Sequence, residues 1–428
     1  MREALRDTGR VLRVVVTSVA FLLPAVLLGV VLALARGRTA GLTHLYRRVG
    51  GLLMALGPAF VKAGQVLGTR RDILPPGLCA ELEVLQDSVA PLDPVRSQVV
   101  LTDIYGPGID SIFPEINYTP VAGGSVACVY QAVDAQGRVV ALKVLRPEIR
   151  PVLETDLRIM RRGAGLVARL PVLRGVPVTE VVGQMCDAVL AQLDFPREAA
   201  SLTRLRRDLA AVRRVWVPQV YPELCGPSCV AMEFVPDLDV RTAQRCPLAL
   251  RRRFAQSGLA AIYHMLFVNG FVHCDLHPGN LYFTRGGEVV VLDAGFSVQL
   301  TDRLRVLFAE FFLNMAVGRG QRCAEIVVQS SAGLRPDADL DSFLAGMAAL
   351  VVRSHGLSAR EFSLISFATE MFDLQRRFGV HAAPELIFPL LSLLVIEGTI
   401  RDLDPGVDFQ ETAKPVLNKG LFGTRQSG

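Results

Sequence analysis

A short stretch in the second half of the chain carries the residue types that phosphoryl transfer from ATP requires. His273, Asp275 and Asn280 form an HxDxxxxN pattern, and Asp293 with Gly295 follows as a DxG pattern. In this chemistry one carboxylate orients the proton of the attacking group, while a second carboxylate and a carboxamide oxygen hold Mg²⁺ against the nucleotide phosphates. The spacing therefore predicts that Asp275, Asn280 and Asp293 share these roles in one site.

The segments around this stretch predict how its three oxygen donors meet. The apolar run 289–292 predicts a buried strand that delivers Asp293, and Gly286-Gly287 predicts the turn before that strand. A loop that carries Asp275 and Asn280, followed by such a strand pair, brings all three side chains to one face of a cleft.

Two histidines in the same stretch allow a second interpretation, a metal site with imidazole ligands. The intervening Asp275 and the Pro278-Gly279 turn favour phosphoryl transfer over that interpretation. We expect His273 to brace the loop by hydrogen bonding, and the sequence assigns no independent role to His277.

The composition indicates a membrane and argues against a nucleic-acid partner. The chain has 428 residues, enough for two or three structural units, and 51% of them are hydrophobic. Mean hydropathy is +0.37, and the net charge of +5 suits an anionic lipid surface or a nucleotide. The sequence has no interleaving of arginines with aromatic residues, the pattern typical of proteins that bind single-stranded nucleic acid. The eight cysteines are scattered as in reduced cytosolic proteins, and the closest pair, Cys225 and Cys229, lacks the further ligands of a zinc site.

An uncharged apolar segment lies near the N-terminus, from Val14 to Ala35. Its 22 residues, at about 1.5 Å each, suffice to cross a hydrocarbon layer of ~30 Å. A cleaved signal peptide is the rival interpretation, because Ala33-Leu34-Ala35 resembles a cleavage site. We expect an uncleaved single-pass anchor, since the segment is longer than a signal core and secretion would remove the site from ATP. Arginines flank both ends, so the need for ATP, rather than charge, places the catalytic part in the cytoplasm.

Residues 121–147 predict a strand, a small-residue loop, a second strand, a turn and a third strand. The loop is 122–127, and its predicted phosphate-binding residues are Ala122, Gly123, Gly124 and Ser125. Such residues let backbone N–H groups approach phosphate oxygens, although the loop alone is a poor match to GxGxxG. Lys143 ends a buried V-A-L-K run in the third strand, where a lysine reaches the α- and β-phosphates.

Two later segments complete the predicted nucleotide site. Glu198, in a helical region, is the expected partner of Lys143, because a buried lysine needs a carboxylate to remain charged and correctly aimed. Segment 232–235 is the expected hinge, where the main chain of Glu233 and Val235 hydrogen-bonds adenine. Arginines between 204 and 214 are expected to form a solvated face, and 215–220 and 229–235 to form two strands.

From about residue 51 to 417 the chain resembles the UbiB/AarF/ADCK family of atypical protein-kinase-like proteins. The segments that carry the resemblance are the KxGQ motif at 62–65, RDILP at 71–75, the loop 122–125, the Lys143 strand, 194–199, HCDLHPGN at 273–280 and DAG at 293–295. KxGQ together with HxDxHPGN is specific, since ordinary protein kinases have neither.

The resemblance implies an α+β, two-lobed protein-kinase-like fold with an N-terminal helical extension, to which we add one transmembrane helix. The domains are then 1–40 with the anchor at about 14–35, a helical KxGQ extension at 41–115, an N-lobe with inserted helices at 116–235 and a mostly helical C-lobe at 236–428. The same resemblance implies that Asp275 is the catalytic carboxylate and that Asn280 and Asp293 are the magnesium ligands. It also implies that Lys62 and Gln65 form a gate over the active site that limits access by protein substrates.

The implied function is that of a membrane-anchored atypical kinase or ATPase. It would bind Mg²⁺ and ATP, hydrolyse ATP or transfer its phosphoryl group, and support isoprenoid-quinone (ubiquinone or menaquinone) biosynthesis or membrane lipid metabolism. Its implied partners are the bilayer and lipids and enzymes of that pathway. Two alternatives remain, a true protein or small-molecule phosphotransferase and a nucleotide-binding scaffold. Gly123-Gly124 favours the former, because glycine permits positive φ where the family's loop is rich in alanine.

Two other features bear on these expectations. Where the family has Glu-x-Asp, this chain has Gln192-Leu193-Asp194, which weakens any ion pair that Lys62 makes there. The apolar run 387–397 is short of a membrane span, so we expect a core helix there.

Overall fold

The computed structural model describes residues 2–68, 74–83, 85, 92–169, 178–239, 241–277, 279–355, 357 and 360–423. Its helices are α1 Arg2–Arg36, α2 Arg38–Leu56, α3 Pro58–Gly68, α4 Pro76–Glu83, α5 Pro94–Tyr105, α6 Ile109–Ile112, α7 Ile149–Val167, α8 Val178–Ala191, α9 Phe195–Leu209, α10 Thr242–Arg245, α11 Leu248–Tyr263, α12 Asp302–Ala316, α13 Gly320–Gln329, α14 Leu340–Ser354, α15 Leu364–Phe378, α16 Pro384–Leu403 and α17 Phe409–Phe422. Its strands are β1 Glu115–Gly123, β2 Ala127–Val133, β3 Val139–Leu145, β4 Val215–Trp216, β5 Cys229–Glu233, β6 Phe271–His273, β7 Leu281–Phe283, β8 Val289–Val291, β9 Ser297–Gln299, β10 Ser331–Leu334 and β11 Val380–Ala382.

The chain forms two compact units. The first contains Met1–Phe195 and Leu224–Ala231, and the second contains Pro196–Glu223 and Met232–Gly428. The predicted domain boundaries at 40, 115 and 235 remain predictions.

The N-terminal helix α1 is apolar and mostly exposed. Within the described residues, Thr8–Arg36 is the helix long and apolar enough to cross a membrane, and 11% of its most apolar window is buried. Pro24 lies inside it without ending it. Helix α1 ends one residue after the predicted span, 14–35, but begins well before it. The charged residues that precede Val14 belong to the same helix.

The α1 helix packs closely against α2 and α7. A Cβ on Gly41 of α2 would lie 2.4 Å from the carbonyl oxygen of Gly29, so the two backbones touch there. Further along, the Arg48 guanidinium lies 5.0 Å from the ring centroid of Phe21. Arg10 donates to both carboxylate oxygens of Asp156 on α7, at 2.6 and 2.7 Å. Arg48, on the charged side of α2, therefore lies beside the middle part of the predicted membrane span in α1.

A four-stranded sheet with the order β1-β2-β3-β5 forms the centre of the first unit. β2 pairs antiparallel with both β1 and β3. Tyr130 and Leu142 are fully buried, and the Tyr130 hydroxyl bonds Ser97 of α5 at 3.0 Å. The alternation of buried and half-exposed residues along β2 follows from the two-residue period of a strand. This sheet holds the predicted phosphate loop and Lys143.

The second unit contains the predicted catalytic hairpin. β7 and β8 pair antiparallel, and Gly287 turns between them with φ of +97°. The predicted strand at 215–220 is wrong in extent, since β4 covers two residues and pairs in parallel with β8 rather than joining the larger sheet. Pairing with an already formed hairpin is a non-local contact that local residue preferences do not encode. The sequence also did not predict the pair β10–β11.

Helix α16 crosses the core of the second unit. Leu393, Ile396 and Ile400 on it are fully buried, which confirms the predicted core helix at 387–397. Its Glu397 is also fully buried, and its carboxylate accepts the N–H groups of Leu364 and Ile365 at 2.9 and 2.8 Å. A carboxylate at a helix N-terminus satisfies otherwise unpaired donors and complements the helix dipole. This contact fixes α15 against α16.

Candidate active site

His273 braces the loop that follows β6. Its side chain is fully buried, its Nδ1 accepts the N–H of Asp275 at 3.1 Å, and its Nε2 lies 2.9 Å from the carbonyl oxygen of Leu292. Burial lowers the pKa of His273, so the ring is neutral. Since Nδ1 accepts, Nε2 carries the proton and donates to Leu292. The predicted bracing role of His273 is confirmed.

Asn280 lies at the end of this loop with its carboxamide nitrogen turned inward. The side chain is 5% exposed, and Nδ2 donates to the carbonyl oxygen of Asp275 at 2.9 Å. The same nitrogen lies 3.4 Å from Asp275 Oδ2. With Nδ2 engaged, and no hydrogen bond to Oδ1 from the described part of the chain, Oδ1 is the atom that can ligate a cation.

Asp293 follows β8 in an uncommon backbone conformation. Its φ is +54°, a left-handed value that non-glycine residues adopt mainly at turns and functional sites. The preceding residue, Leu292, is held twice, because its N–H donates to the Asn280 carbonyl at 2.9 Å and its carbonyl accepts from His273. Asp293 and burial together raise the pKa of Tyr282, with burial the larger cause. The loop and the hairpin thus hold Asp275, Asn280 and Leu292, the residue before Asp293, in one hydrogen-bonded segment.

His277 has a role that the sequence did not predict. Its Nδ1 accepts the N–H of Gly279 at 2.9 Å, and its Nε2 lies 3.2 Å from Asn280 Nδ2 and 3.8 Å from Asp275 Oδ2. A Cβ on Gly279 would lie 2.6 Å from the His277 ring, so any other residue there would displace the ring from this position. Pro278 lies outside the described residues. The HPGN sequence pattern marks this segment, but it does not show that the turn at Gly279 folds the His277 ring back towards Asn280 and Asp275.

Neighbouring elements fix the loop from behind. The Ser392 hydroxyl on α16 donates to the His273 carbonyl at 2.8 Å, and both residues are buried. β6 also pairs with β9, and the N–H of Cys274 donates to the Phe296 carbonyl at 2.9 Å. The catalytic loop therefore has a rigid support made of a strand pair and a core helix.

The predicted phosphate loop covers the end of β1 and the start of the turn to β2, because Ala122 and Gly123 still pair with β2. The N–H of Gly124 donates to the Ala127 carbonyl, and Arg146 Nε donates to the Gly124 carbonyl, both at 2.9 Å. Gly123 and Gly124 both lack a positive φ, and Ser125 is buried. The positive φ that Gly123-Gly124 could adopt, which was the argument for a true phosphotransferase, is therefore not adopted in this loop.

Lys143 and Glu198 lie in different units. Lys143 pairs with Val129 in the β2–β3 ladder, and its ammonium lies 5.6 Å from the ring centroid of Phe195. Glu198 lies in the first turn of α9 and is 1% exposed. A carboxylate this deeply buried requires polar or charged partners, but the predicted pairing of Glu198 with Lys143 remains a prediction.

The predicted hinge, 232–235, begins within the last two residues of β5. The N–H of Glu233 donates to the Gln219 carbonyl at 2.8 Å, and its carboxylate accepts from Trp216 Nε1 at 3.2 Å and from the N–H of Gln219 at 3.1 Å. The N–H of Glu233 is thus already hydrogen-bonded within the protein. A main-chain hydrogen bond from this residue to adenine would therefore use its carbonyl oxygen. Val235 is buried two residues further on.

The KxGQ motif lies on α3, which packs against α4, α7 and α8. Gln65 Nε2 donates to the Leu85 carbonyl at 2.8 Å, and Lys62 is half-buried on the same helix. A Cβ on Gly64 would lie 2.7 Å from side-chain carbons of Leu53 and Leu85, so glycine permits this packing. Residues 71–73 of the RDILP segment lie outside the described residues.

Comparison with known proteins decides the family. Residues 84–327, more than half of the chain, match the family model described as the ABC1 atypical kinase-like domain. The chain belongs to this family. The predicted resemblance to UbiB-type proteins is confirmed.

Similar proteins include two curated relatives that carry the name "Probable protein kinase UbiB". The one from Vibrio vulnificus (strain YJ016) is 32% identical over 381 residues, and the one from Aeromonas hydrophila subsp. hydrophila is 32% identical over 376 residues. In both cases the match covers 86% of this chain and 69% of the relative.

A solved structure supports the fold of this ABC1 protein. The Rv3197–erythromycin complex from Mycobacterium tuberculosis has a TM-score of 0.59 and 20% sequence identity, and the match covers 87% of this chain and 90% of that one. The predicted α+β kinase-like fold, with one N-terminal apolar helix that could span a membrane, is confirmed.

Proposed function

We propose that this protein is a Mg-ATP-dependent atypical kinase or ATPase of the UbiB type. The observation that carries the proposal is the hydrogen-bonded segment in which His273 and Asn280 hold Asp275 and the residue before Asp293. A scaffold that does not turn over nucleotide has no need for a buried asparagine held against Asp275 in the loop that leads to Asp293.

Asn280 and Asp293 would hold Mg²⁺ in this proposal. Hard cations prefer carboxylate and carboxamide oxygens, and the engagement of Asn280 Nδ2 leaves its oxygen for that purpose. When bound, the cation supplies charge neutralisation at the nucleotide phosphates. Asp275, whose side chain is 43% exposed, is accessible enough to accept the proton of an attacking hydroxyl or water.

The nucleotide-binding residues are proposed from the first unit and the hinge. The main chain of Ala122, Gly123, Gly124 and Ser125 would contact phosphate oxygens. Lys143 would contact the α- and β-phosphates, with Glu198 as its partner, and the main chain of Glu233 and Val235 would contact adenine. The short β1–β2 turn and the position of Lys143 on β3 support these roles.

Lys62 and Gln65 are proposed to control access to the active site. Anchoring of Gln65 to Leu85 supports a fixed position for α3 rather than a freely swinging one. Replacing Lys62 by alanine is then expected to change turnover without removing nucleotide binding.

Membrane attachment is proposed through α1, with the catalytic part in the cytoplasm. The exposed apolar surface of α1 supports this attachment. A full crossing of the bilayer by α1 requires that α2 separate from it, because the Arg48 guanidinium beside Phe21 would otherwise enter the hydrocarbon layer. Attachment would bring the enzyme to isoprenoid-quinone or membrane lipid metabolism, its proposed setting.

ATP turnover by the purified full chain in lipid nanodiscs tests the proposal. We expect Asp293→Asn to abolish turnover, whereas Asp337→Asn, an exposed aspartate beside Arg335, leaves it unchanged. Turnover that survives Asp293→Asn would indicate a contaminant and would remove the catalytic assignment. In cells that lack the protein, quinone and lipid profiles restored by the wild type but not by Asp293→Asn would identify the pathway.

A further inference from the structure

Both ends of the apolar stretch of α1 are held by the same unit of the protein. At one end, Arg10 donates to both carboxylate oxygens of Asp156 on α7 at 2.6 and 2.7 Å, and to the carbonyl of Leu56, the last residue of α2, at 2.6 Å. At the other end, Gly37 alone, with φ of +92°, separates α1 from α2. A single helix that crosses a bilayer has its ends on opposite sides, whereas these contacts place both ends of α1 on one side.

Helix α2 lies along α1 and is unsuited to enter the hydrocarbon layer with it. It carries Arg47 and Arg48, and Arg47 makes an ion pair with Glu81 of α4 at 3.3 Å. α2 also packs against α3 and α4. Charged side chains are costly in the bilayer core, and these contacts tie α2 to the rest of the first unit. A hairpin of α1 and α2 that crosses the bilayer as a pair is therefore excluded.

The side of α1 that faces away from α2 presents a row of branched apolar side chains. The exposed valines and leucines of α1, from Val11 to Leu34, have exposed fractions of 41% to 84%. Those that recur at spacings of three and four residues on one face are Val15, Val19, Leu23, Val26, Val30 and Leu34. We call these six side chains the outer row.

Lipid chains suit the outer row better than a second copy of the protein does. Close contacts between helices in a bilayer use small residues. In α1 the small residues Gly29 and Ala33 are already used for this purpose, because both lie against Gly41 of α2. A second copy would meet the bulkier valines and leucines of the outer row, whereas lipid chains adapt to such a surface.

We propose that α1 lies within one leaflet, parallel to the membrane surface, and does not cross the bilayer. This inference rests on the proposed membrane attachment and specifies its geometry. α1 is apolar on both sides because one side packs against α2 and the other contacts lipid chains, so α2 supplies the polar cover that an isolated in-plane helix carries on its own surface. Arg13, Arg36 and Arg38, exposed near the two ends of the apolar stretch, contact anionic headgroups. Because α2 contacts both α1 and α3, this geometry holds the KxGQ helix near the membrane.

Quenching of tryptophan fluorescence by brominated lipids measures the depth of α1. Val15→Trp, Leu23→Trp and Leu34→Trp each place the probe in the outer row of the full chain, reconstituted into vesicles of phosphatidylcholine and phosphatidylglycerol. The signal of Trp216, the single native tryptophan, is subtracted with the wild type. We expect all three probes at one shallow depth, quenched most by bromines near the headgroups. A crossing helix would place Leu23→Trp about 12 Å deeper than Val15→Trp, at ~1.5 Å per residue, and that result would overturn the inference.

Flotation of the same vesicles separates this inference from the attachment on which it rests. Protein that does not float with the vesicles refutes the attachment itself. Protein that floats with Leu23→Trp at the bilayer centre retains the attachment and refutes only the in-plane geometry. Floating protein whose three probes no brominated lipid quenches would show that a second copy covers the outer row, against the proposal.

A matched pair of cysteine variants tests on which side the N-terminal end lies. Gly9 on α1 and Gly398 on α16 are exposed, and a Cβ on either would meet nothing within 4 Å. In intact bacterial cells, we expect a membrane-impermeant maleimide to label neither Gly9→Cys nor Gly398→Cys, and after permeabilisation to label both above the level of the wild type. Labelling of Gly9→Cys alone in intact cells would overturn the inference, because α1 would then cross the bilayer.

Discussion

Replacing Asn280 by aspartate tests the proposed magnesium site with a change of one group. Asn280 Nδ2 lies 2.9 Å from the Asp275 carbonyl oxygen and 3.4 Å from Asp275 Oδ2. In Asn280→Asp an oxygen takes the place of that nitrogen, so an attractive contact becomes a contact between acceptors. Since the site is 5% exposed, the introduced carboxylate also loses hydration, and both effects raise its pKa.

The size of the effect follows from these distances. Two unit charges about 3.4 Å apart repel by about 5 kcal/mol at an effective dielectric constant of 20. The Asp275 side chain is 43% exposed, so solvent screening reduces the repulsion to about 1–2 kcal/mol. Loss of the buried hydrogen bond adds about 1 kcal/mol. We expect Asn280→Asp to lower the free energy of unfolding by about 2–3 kcal/mol at pH 7 in EDTA.

Magnesium is expected to restore much of this loss. A cation between the two carboxylates removes their repulsion, so millimolar MgCl₂ without nucleotide stabilises Asn280→Asp more than the wild type. Lowering the pH also helps, because a carboxyl group whose pKa is higher in the folded state destabilises only where it is ionised. Urea unfolding followed by the fluorescence of Trp216, the single tryptophan, measures both effects in the second unit.

Asn280→Leu is the control, because it removes the same hydrogen bond without adding charge. Its stability is expected not to respond to Mg²⁺. If Mg²⁺ stabilised neither variant, or both to the same extent, the assignment of Asn280 as a magnesium ligand would be wrong.

Three other changes test separate parts of the structure. Glu397→Gln should lower the free energy of unfolding by about 3 kcal/mol, because it breaks the ion pair that Glu397 makes with Arg401 at 2.9 Å and faces an amide N–H₂ against backbone donors of α15. The exposed Glu370→Gln should cost less than about 1 kcal/mol, and equal costs in urea titrations would refute this. His264 directly follows helix α11, and burial lowers its pKa to about 4. The folded state therefore binds fewer protons than the unfolded chain, and the free energy of unfolding falls from pH 7 to pH 5. In His264→Gln the urea midpoint of unfolding should fall less between pH 7 and pH 5. An unchanged pH dependence would contradict the assignment of this loss of stability to His264. Lys143→Ala should weaken nucleotide binding measured by calorimetry; unchanged affinity would count against the phosphate contact.

Residue types and local spacing were enough to predict the catalytic hairpin and the bracing role of His273. The apolar run before Asp293 and the two glycines before that run specify a strand pair on their own. The core position of α16 was also predictable, because its apolar run is too short for a membrane and acidic residues follow it.

Non-local contacts were not predictable in the same way. β4 pairs in parallel with β8 across more than seventy residues of sequence, and no local signal encodes that pairing. The role of His277 depends on the turn at Gly279 rather than on the spacing of its neighbours. Gly123 and Gly124 show the opposite case. As glycines they could adopt a positive φ, but neither does so in the structure.

Binding of a non-hydrolysable ATP analogue, measured by calorimetry with and without Mg²⁺, tests the central claim most directly. If Asp275, Asn280 and Asp293 form one Mg-nucleotide site, Mg²⁺ strengthens binding by the wild type about tenfold or more, which corresponds to at least ~1.4 kcal/mol. Asp293→Asn should then bind the analogue equally in Mg²⁺ and in EDTA. Wild-type affinity independent of Mg²⁺, or an unchanged dependence in Asp293→Asn, would contradict the account.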